Sequence, residues 1–275
     1  MSTGHQEAGR RGRRDAAGPG PLQSVDRALE VLLSFDEHRT EWGVTELAEE
    51  FGWDKSVAHR LLAALAHRGF LVSQPVTRRY RLGPSVWHLA WLWERKGGLA
   101  TLARPALTRL AQQTGYTALL AVPDGTHMRC VETVDGADGP LRHYSLVGEL
   151  YPAHAGATSR AYFAMLPDGA RHTLFQDRPM ARFSDTTPVD ADRLDRLFRV
   201  TRATGYAYSE GEYDADTAAL AVPLLIRHQP VATLTLCAHA IPRDRHAELV
   251  DLLRDEALEL TRVLAPRPRP AARGR

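Results

Sequence analysis

The chain has 275 residues, 44% hydrophobic and 25% charged, with 35 Lys and Arg against 33 Asp and Glu for a net charge of +2. That length suits two domains, each with a core of its own, and no apolar run approaches the roughly 20 residues of a membrane span. The two cysteines, Cys130 and Cys237, have no Cys-x-x-Cys spacing, which points away from zinc or a redox couple and toward a reducing, cytoplasmic setting.

In chain order, Met1 to Gly20 is rich in Gly, Ala and Arg and lacks the apolar centre of a signal peptide. It reads as a disordered basic tail, more simply inert than a DNA contact, although Arg10, Arg11, Arg13 and Arg14 could touch DNA backbone or a minor groove. Val25, Leu29, Leu32 and Leu33 mark a first helix, with Ser24 as its N-cap. Next come two short helices joined by a tight turn at Gly52. Leu47, Ala48 and Phe51 follow helical spacing in the first, and Val57, Leu61, Leu62 and Leu65 in the second. The opposite face of the second helix carries Lys55, Ser56, His59 and Arg60, side chains that reach phosphates and base edges in a major groove. This is the layout of a helix-turn-helix whose second helix reads DNA. Arg68-Gly69 ends that helix. Leu71-Val72, a turn near Pro75, and Arg78-Arg79-Tyr80-Arg81-Leu82 then form a short hairpin with an Arg-rich arm, a wing. Strand alternation puts Arg79 and Arg81 on one face and Tyr80 on the other. Charge follows the same division: Pro21 to Gly52 carries −6, whereas Trp53 to Ser85 sets six cations against Asp54 alone, +5.

From Pro84 to Lys96 an apolar stripe with Trp87 and Trp93 predicts a connecting helix, buried against a partner subunit or within one domain; Gly97-Gly98 breaks it. A second domain starts near Leu99 with an amphipathic helix ending at Gly115. Strands are predicted at Tyr116 to Val122, Met128 to Val134, Leu141 to Val147, Leu220 to Ile226 and Val231 to Ala238. Helices are predicted from the loop at His154 to Ser159 through Met165, over Ala191 to Ala203, and over Arg243 to Leu264. The organisation is therefore a tail (1–20), a winged helix-turn-helix (21–83), a linker helix (84–98), an α+β sensor domain (99–265) and a second basic tail (266–275) with Arg267, Arg269, Arg273 and Arg275.

The chain resembles the IclR-type bacterial transcription regulators from Leu22 to Leu264. The resemblance is carried by Gln23-Ser24-Val25-Asp26-Arg27-Ala28-Leu29, by Lys55-Ser56 with His59-Arg60-Leu61-Leu62, and by Tyr80-Arg81-Leu82-Gly83. Tyr144-Ser145-Leu146-Val147-Gly148, Gly205-Tyr206-Ala207 and Glu212-Tyr213 complete it. It implies a winged helix-turn-helix before a GAF-like effector domain, double-stranded operator DNA as partner, and dimers that pair into tetramers. Half-sites would then lie about 34 Å apart or a multiple of it. DNA contacts are expected from Lys55, Ser56, His59 and Arg60 in the groove and from Arg78, Arg79 and Arg81 on wing phosphates or a minor groove.

The loop Gly156-Ala157-Thr158-Ser159 enters a helix, so its N–H groups read either as a cradle for an anion or as a plain capped helix start. The resemblance places part of the effector pocket here. Where family members bind small organic acids through an Asp, a Cys and two serines, this chain has Ser209, Ala219, Thr235 and Cys237. A ligand larger or more apolar than a two- or three-carbon acid is expected, contacting Tyr144, Tyr208 and Leu220. No cofactor or metal is called for. An enzyme is the competing class, but no Gly-x-Ser-x-Gly, His-Glu-x-x-His or Gly-x-x-x-x-Gly-Lys motif occurs, and His127, His143 and His154 are too far apart for a ligand set. A winged-helix adaptor that never touches DNA is the third reading; the basic helix and wing argue against it.

Overall fold

The computed structural model describes residues 22–35, 39–142, 145–175 and 179–264. Both basic tails and Tyr144 lie outside the described residues. The chain divides into two compact units, Met1–Leu92 and Trp93–Arg275.

The first unit runs through α1 (Gln23–Leu33), β1 (Glu41–Trp42), α2 (Val44–Phe51), α3 (Lys55–His67), β2 (Leu71–Ser73) and β3 (Tyr80–Leu82). The three strands form an antiparallel sheet in the order β1-β3-β2. The Gly43 N–H donates to Glu46 Oε2 at 3.4 Å, half of a capping box at the start of α2, since Gly43 has no side chain to complete it. Gly52 stops α2 in a left-handed conformation (φ +64°), which a side chain would strain, and the chain turns at once toward α3. α3 buries Ala58, Leu62 and Leu65 with Val31, Leu47, Ala48, Trp42 and Leu71. Two details differ from the sequence reading. α1 begins at Gln23 with Leu22 as N-cap and no side-chain cap, so Ser24 does not cap it. Its apolar residues also divide: Val31 is buried, while Val25, Leu29 and Leu33 face outward. The helix α4 (Pro84–Arg95) follows, and none of its residues is buried.

The second unit begins with α5 (Gly98–Thr114), β4 (Thr117–Asp124), β5 (His127–Val134), β6 (Leu150–Pro152), α6 (Ala157–Phe163) and α7 (Asp168–Phe175). It continues with α8 (Ala191–Thr204), β7 (Ala207–Glu210), β8 (Ala218–Ile226) and β9 (Gln229–Ala238), and closes with a 3₁₀ turn at Arg243–Arg245 and α9 (His246–Leu264). The strands form an antiparallel sheet of order β6-β5-β4-β9-β8-β7. Strand alternation gives each face its own core. Leu120, Leu220, Leu234 and Leu236 pack with Leu107 and Leu110 of α5 and Leu249 and Leu253 of α9. Leu119, Cys130, Ala219, Ala221 and Cys237 pack with Ala157, Ala161 and Phe163 of α6 and with Leu194 and Phe198 of α8. Ala219 and Ala221 give α6 room to approach the sheet.

Among the described residues of the stretch Leu141 to Val147, where a strand was expected, none has strand geometry. The chain reaches the edge of β5 only at Gly148 and Glu149, whose N–H and carbonyl pair with Cys130 at 2.8 and 2.9 Å, and strand geometry begins at Leu150. Before that, Leu141 is drawn into the core under α6 and Arg142 bonds to Asp214 and Thr217. The sequence reading also did not foresee β1, α7 or β7. No helix among the described residues is long and apolar enough to cross a membrane.

Candidate functional site

Lys55, Ser56, His59 and Arg60 all lie on the exposed side of α3, opposite Ala58, Leu62 and Leu65. Ala63 and Ala64 extend that side by another turn; the sequence reading missed them, although their spacing from His59 and Arg60 carries the signal. The wing is closed by Gln74 N–H donating to the Arg79 carbonyl at 2.8 Å and Arg78 N–H donating to the Gln74 carbonyl at 2.9 Å. Arg78 takes a left-handed φ of 53° at the end of this loop, and both Arg78 and Arg81 are exposed.

Arg79 is placed differently from the expectation that it holds DNA phosphates. Its Nη2 lies 2.7 Å from Glu46 Oε2 and donates to the Glu41 carbonyl at 3.3 Å, and its Nε lies 3.5 Å from Glu41 Oε2. Two carboxylates thus hold Arg79 between the strand β1 and the N-terminal turn of α2. The cause is nonlocal: pairing of β3 with β1 brings Glu41 beside the Arg79–Tyr80–Arg81 strand, and β1 is too short to read from sequence.

In the second unit a cavity of about 60 Å³ opens between the sheet and the start of α6. Gly156, Ala157, Thr158, Ser209, Ala219 and Cys237 line it, six of the ten residues expected from sequence. Thr235 lies behind the wall, where its hydroxyl meets that of Thr158 at 3.1 Å. Tyr208 and Leu220 are corrections. They are paired across β7 and β8, one step from the Ser209–Ala219 pair, so they point to the opposite face. There Leu220 is buried with α5 and α9, and the Tyr208 ring lies tilted by 48° against His246, with centroids 4.4 Å apart.

The expected anion cradle also has other occupants. Gly156 N–H donates to Glu212 Oε2 at 3.1 Å, and Ala157 N–H to Ser209 Oγ at 2.8 Å. Gly156 itself sits at φ 90°, ψ 155°, a conformation essentially restricted to glycine, which lets the loop turn sharply into α6. Beneath the loop Arg160, only 1% exposed, donates to Glu212 and to the Tyr208 carbonyl. A buried cation with both partners in place sets this floor, and removing one partner alone would strand a charge.

The sequence reading missed much of the remaining wall: Leu141, Arg142, Leu146, Glu149, Tyr151, Ala155, Asp214 and Thr217. Glu212 and Tyr213 had been noted as family marks but not as cavity residues; Tyr213 donates its hydroxyl to Glu149 Oε1 at 2.7 Å. Burial pushes the Cys237 thiol up to about 12 and the Cys130 thiol, also below α6, to about 12, so both stay protonated at neutral pH. Among the described residues no cluster of His, Cys, Asp and Glu is arranged to hold a metal ion.

The chain matches the family models "Bacterial transcriptional regulator IclR C-terminal" over residues 95–262 and "IclR helix-turn-helix domain" over residues 24–75. It is 28% identical to the HTH-type transcriptional regulator XynR of Escherichia coli over 246 residues, 88% of this chain and 97% of XynR. Among solved structures, an IclR-family transcriptional regulator from Rhodococcus sp. superposes with a TM-score of 0.64, at 24% identity and over 92% of this chain and 97% of that one. An IclR homologue from Microbacterium hydrocarbonoxydans, solved with 4-hydroxybenzoate, superposes at 0.56, with 22% identity and 88% and 98% coverage. The two matches fall on the helix-turn-helix of the first unit and on the antiparallel sheet and helices of the second, and the chain belongs to the IclR family of bacterial transcriptional regulators.

Proposed function

We propose that this regulator recognises a specific operator in duplex DNA through Lys55, Ser56, His59 and Arg60, and that a small molecule in the cavity of the second unit modulates that affinity. The observation that carries the DNA-reading face is the burial pattern of α3. Its apolar side is spent on the core, leaving a contiguous outer side of polar, cationic and small residues. Such a side enters a major groove without steric obstruction and reaches base edges. Arg78 and Arg81, exposed on the wing, supply phosphate contacts. Arg79 serves as the wing's anchor to α2. The cavity is walled by apolar groups with a few convergent polar ones, the composition of a small-molecule site. The relative solved with 4-hydroxybenzoate supports the ligand-binding role of this fold.

The exposed apolar residues of the first unit support self-association. Leu22 is 75% exposed and Trp87 67%, and Val25, Leu29, Leu33, Leu89 and Trp91 are also solvent-facing. Apolar surface of that extent is covered in stable proteins. A second copy using the same residues would present two recognition helices to two half-sites. The protein then acts in the cytoplasm, where its DNA lies. Footprinting of the chain's own upstream region tests the reading. A protected, repeated half-site is expected, with protection altered by a bound small molecule; uniform, sequence-independent protection would contradict it.

A further inference from the structure

The chemistry of the cavity narrows what can occupy it; the argument rests on the regulator reading above. The described cations beside it are already engaged. Arg142 donates to Asp214, to Thr217 Oγ1 at 2.6 Å and to the Leu141 carbonyl at 3.2 Å. Arg160 is taken by Glu212 and the Tyr208 carbonyl. The N–H groups of Gly156 and Ala157 are likewise bonded, to Glu212 and Ser209. Three carboxylates, Glu149, Glu212 and Asp214, line the same space. Arg160 and Arg142 offset Glu212 and Asp214 one for one. Glu149 has no cation partner among the described residues and accepts only the Tyr213 hydroxyl at 2.7 Å.

A carboxylate ligand entering here would face Glu149, which no described cation offsets, and would compete with Asp214 for Arg142. Both are unfavourable in a partly desolvated space. A ligand hydroxyl meets no such opposition. It can donate to Glu149 or Asp214, and it can accept from Ser209, whose oxygen takes the Ala157 N–H and whose own proton remains to be donated. An ammonium could satisfy Glu149 but not Ser209, because it has no acceptor. The space, enclosed between the sheet and the start of α6, suits a small molecule.

We propose that the cavity takes a small uncharged polyol and discriminates against carboxylates. Titration calorimetry on the full-length protein tests this with glycerol, erythritol and xylitol, set against pyruvate, glyoxylate and 4-hydroxybenzoate and against ethylamine. At least one polyol is expected to bind saturably below about 10 mM. Glu149→Gln should weaken that binding about tenfold or more, and Ala219→Leu, which fills the space, should abolish it. Melting curves of both variants establish that they fold. Saturable binding of a carboxylate or of ethylamine that Ala219→Leu removes would overturn the proposal, and so would the absence of saturable binding by all three polyols. Affinity for genomic DNA fragments, measured on the same preparations, separates the two claims. A protein that selects a DNA sequence but binds only acids loses the polyol assignment and keeps the regulator reading. One that selects no sequence loses the regulator reading, whatever the calorimetry gives.

Discussion

Arg79 offers the sharpest test of how the DNA-binding unit is built. Its side chain is 39% exposed, and its guanidinium is shared between Glu46, whose side chain is 40% exposed, and Glu41. A partly solvated pair of this kind contributes up to about 1 kcal/mol, because water screens it and both side chains lose freedom. Arg79→Ala should therefore cost about 0.5–1 kcal/mol, seen as a fall of a few degrees in the melting transition of the first unit. Glu46→Gln should cost a similar amount, and the double substitution little more than either alone, since both break one contact. The discriminating readout is the salt dependence of operator binding by fluorescence anisotropy. Each phosphate contact contributes about 0.9 to the slope of log affinity against log salt. Arg81→Ala should lower that slope by about one. Arg79→Ala should leave it unchanged, because its charge is spent on Glu46 and Glu41. If Arg79→Ala lowered the slope by about one while Glu46→Gln raised DNA affinity, the guanidinium would be a phosphate ligand and the anchor argument would be refuted.

Other substitutions probe the remaining assignments. Arg60→Ala should cost roughly 1–3 kcal/mol on the operator and much less on random DNA, as competition anisotropy would show; equal losses on both would remove its base-reading role. Leu220→Ala should destabilise the second unit by about 2–5 kcal/mol in denaturant unfolding without changing ligand affinity, because its side chain belongs to the core under α5 and α9. Ala219→Leu, one residue earlier, should abolish ligand binding while costing about 1–3 kcal/mol by crowding α6; if Leu220→Ala abolished ligand binding at unchanged stability, the assignment of faces would be wrong. Both thiols are held up at about 12 by burial against an ordinary value near 9. The folded state therefore keeps its proton where the unfolded chain releases it, and stability is fully present below about pH 9 and falls as pH rises from there toward 12. Iodoacetamide at pH 8.5 should accordingly label the unfolded chain and spare the native one; rapid native labelling would contradict the burial.

The DNA-binding unit was legible because its signals are local. Helical spacing of Leu47, Phe51, Leu62 and Leu65, the left-handed glycine at position 52, and the cations at 55 and 60 all lie within a few turns of one another. What the sequence concealed there depends on distant pairing: Glu41 meets Arg79 only because a two-residue strand crosses beside the wing. The cavity was harder for the same reason. β7 is too short to read from sequence, and alternation along β8 is visible there without showing which parity faces which layer. Tyr208 and Leu220 were assigned to the ligand together with Ser209 and Ala219, and the structure leaves only the latter pair on the cavity side. The small alanines at 219 and 221, between the larger Leu220 and Val222, were the available signal, since a helix can approach a strand closely only on its small side. The bond between Arg142 and Asp214 spans 72 residues and leaves no periodic trace.

The central claim is that the outer side of α3 reads a DNA sequence. Selection of genomic fragments by the full-length protein at low and at near-physiological salt, in parallel with the Lys55→Ala, Arg60→Ala double variant, tests it most directly. The account predicts a small set of fragments that share a repeated half-site, survive the higher salt and disappear from the variant's selection. Enrichment no greater than that of random DNA, or an identical fragment set from the variant, would contradict it.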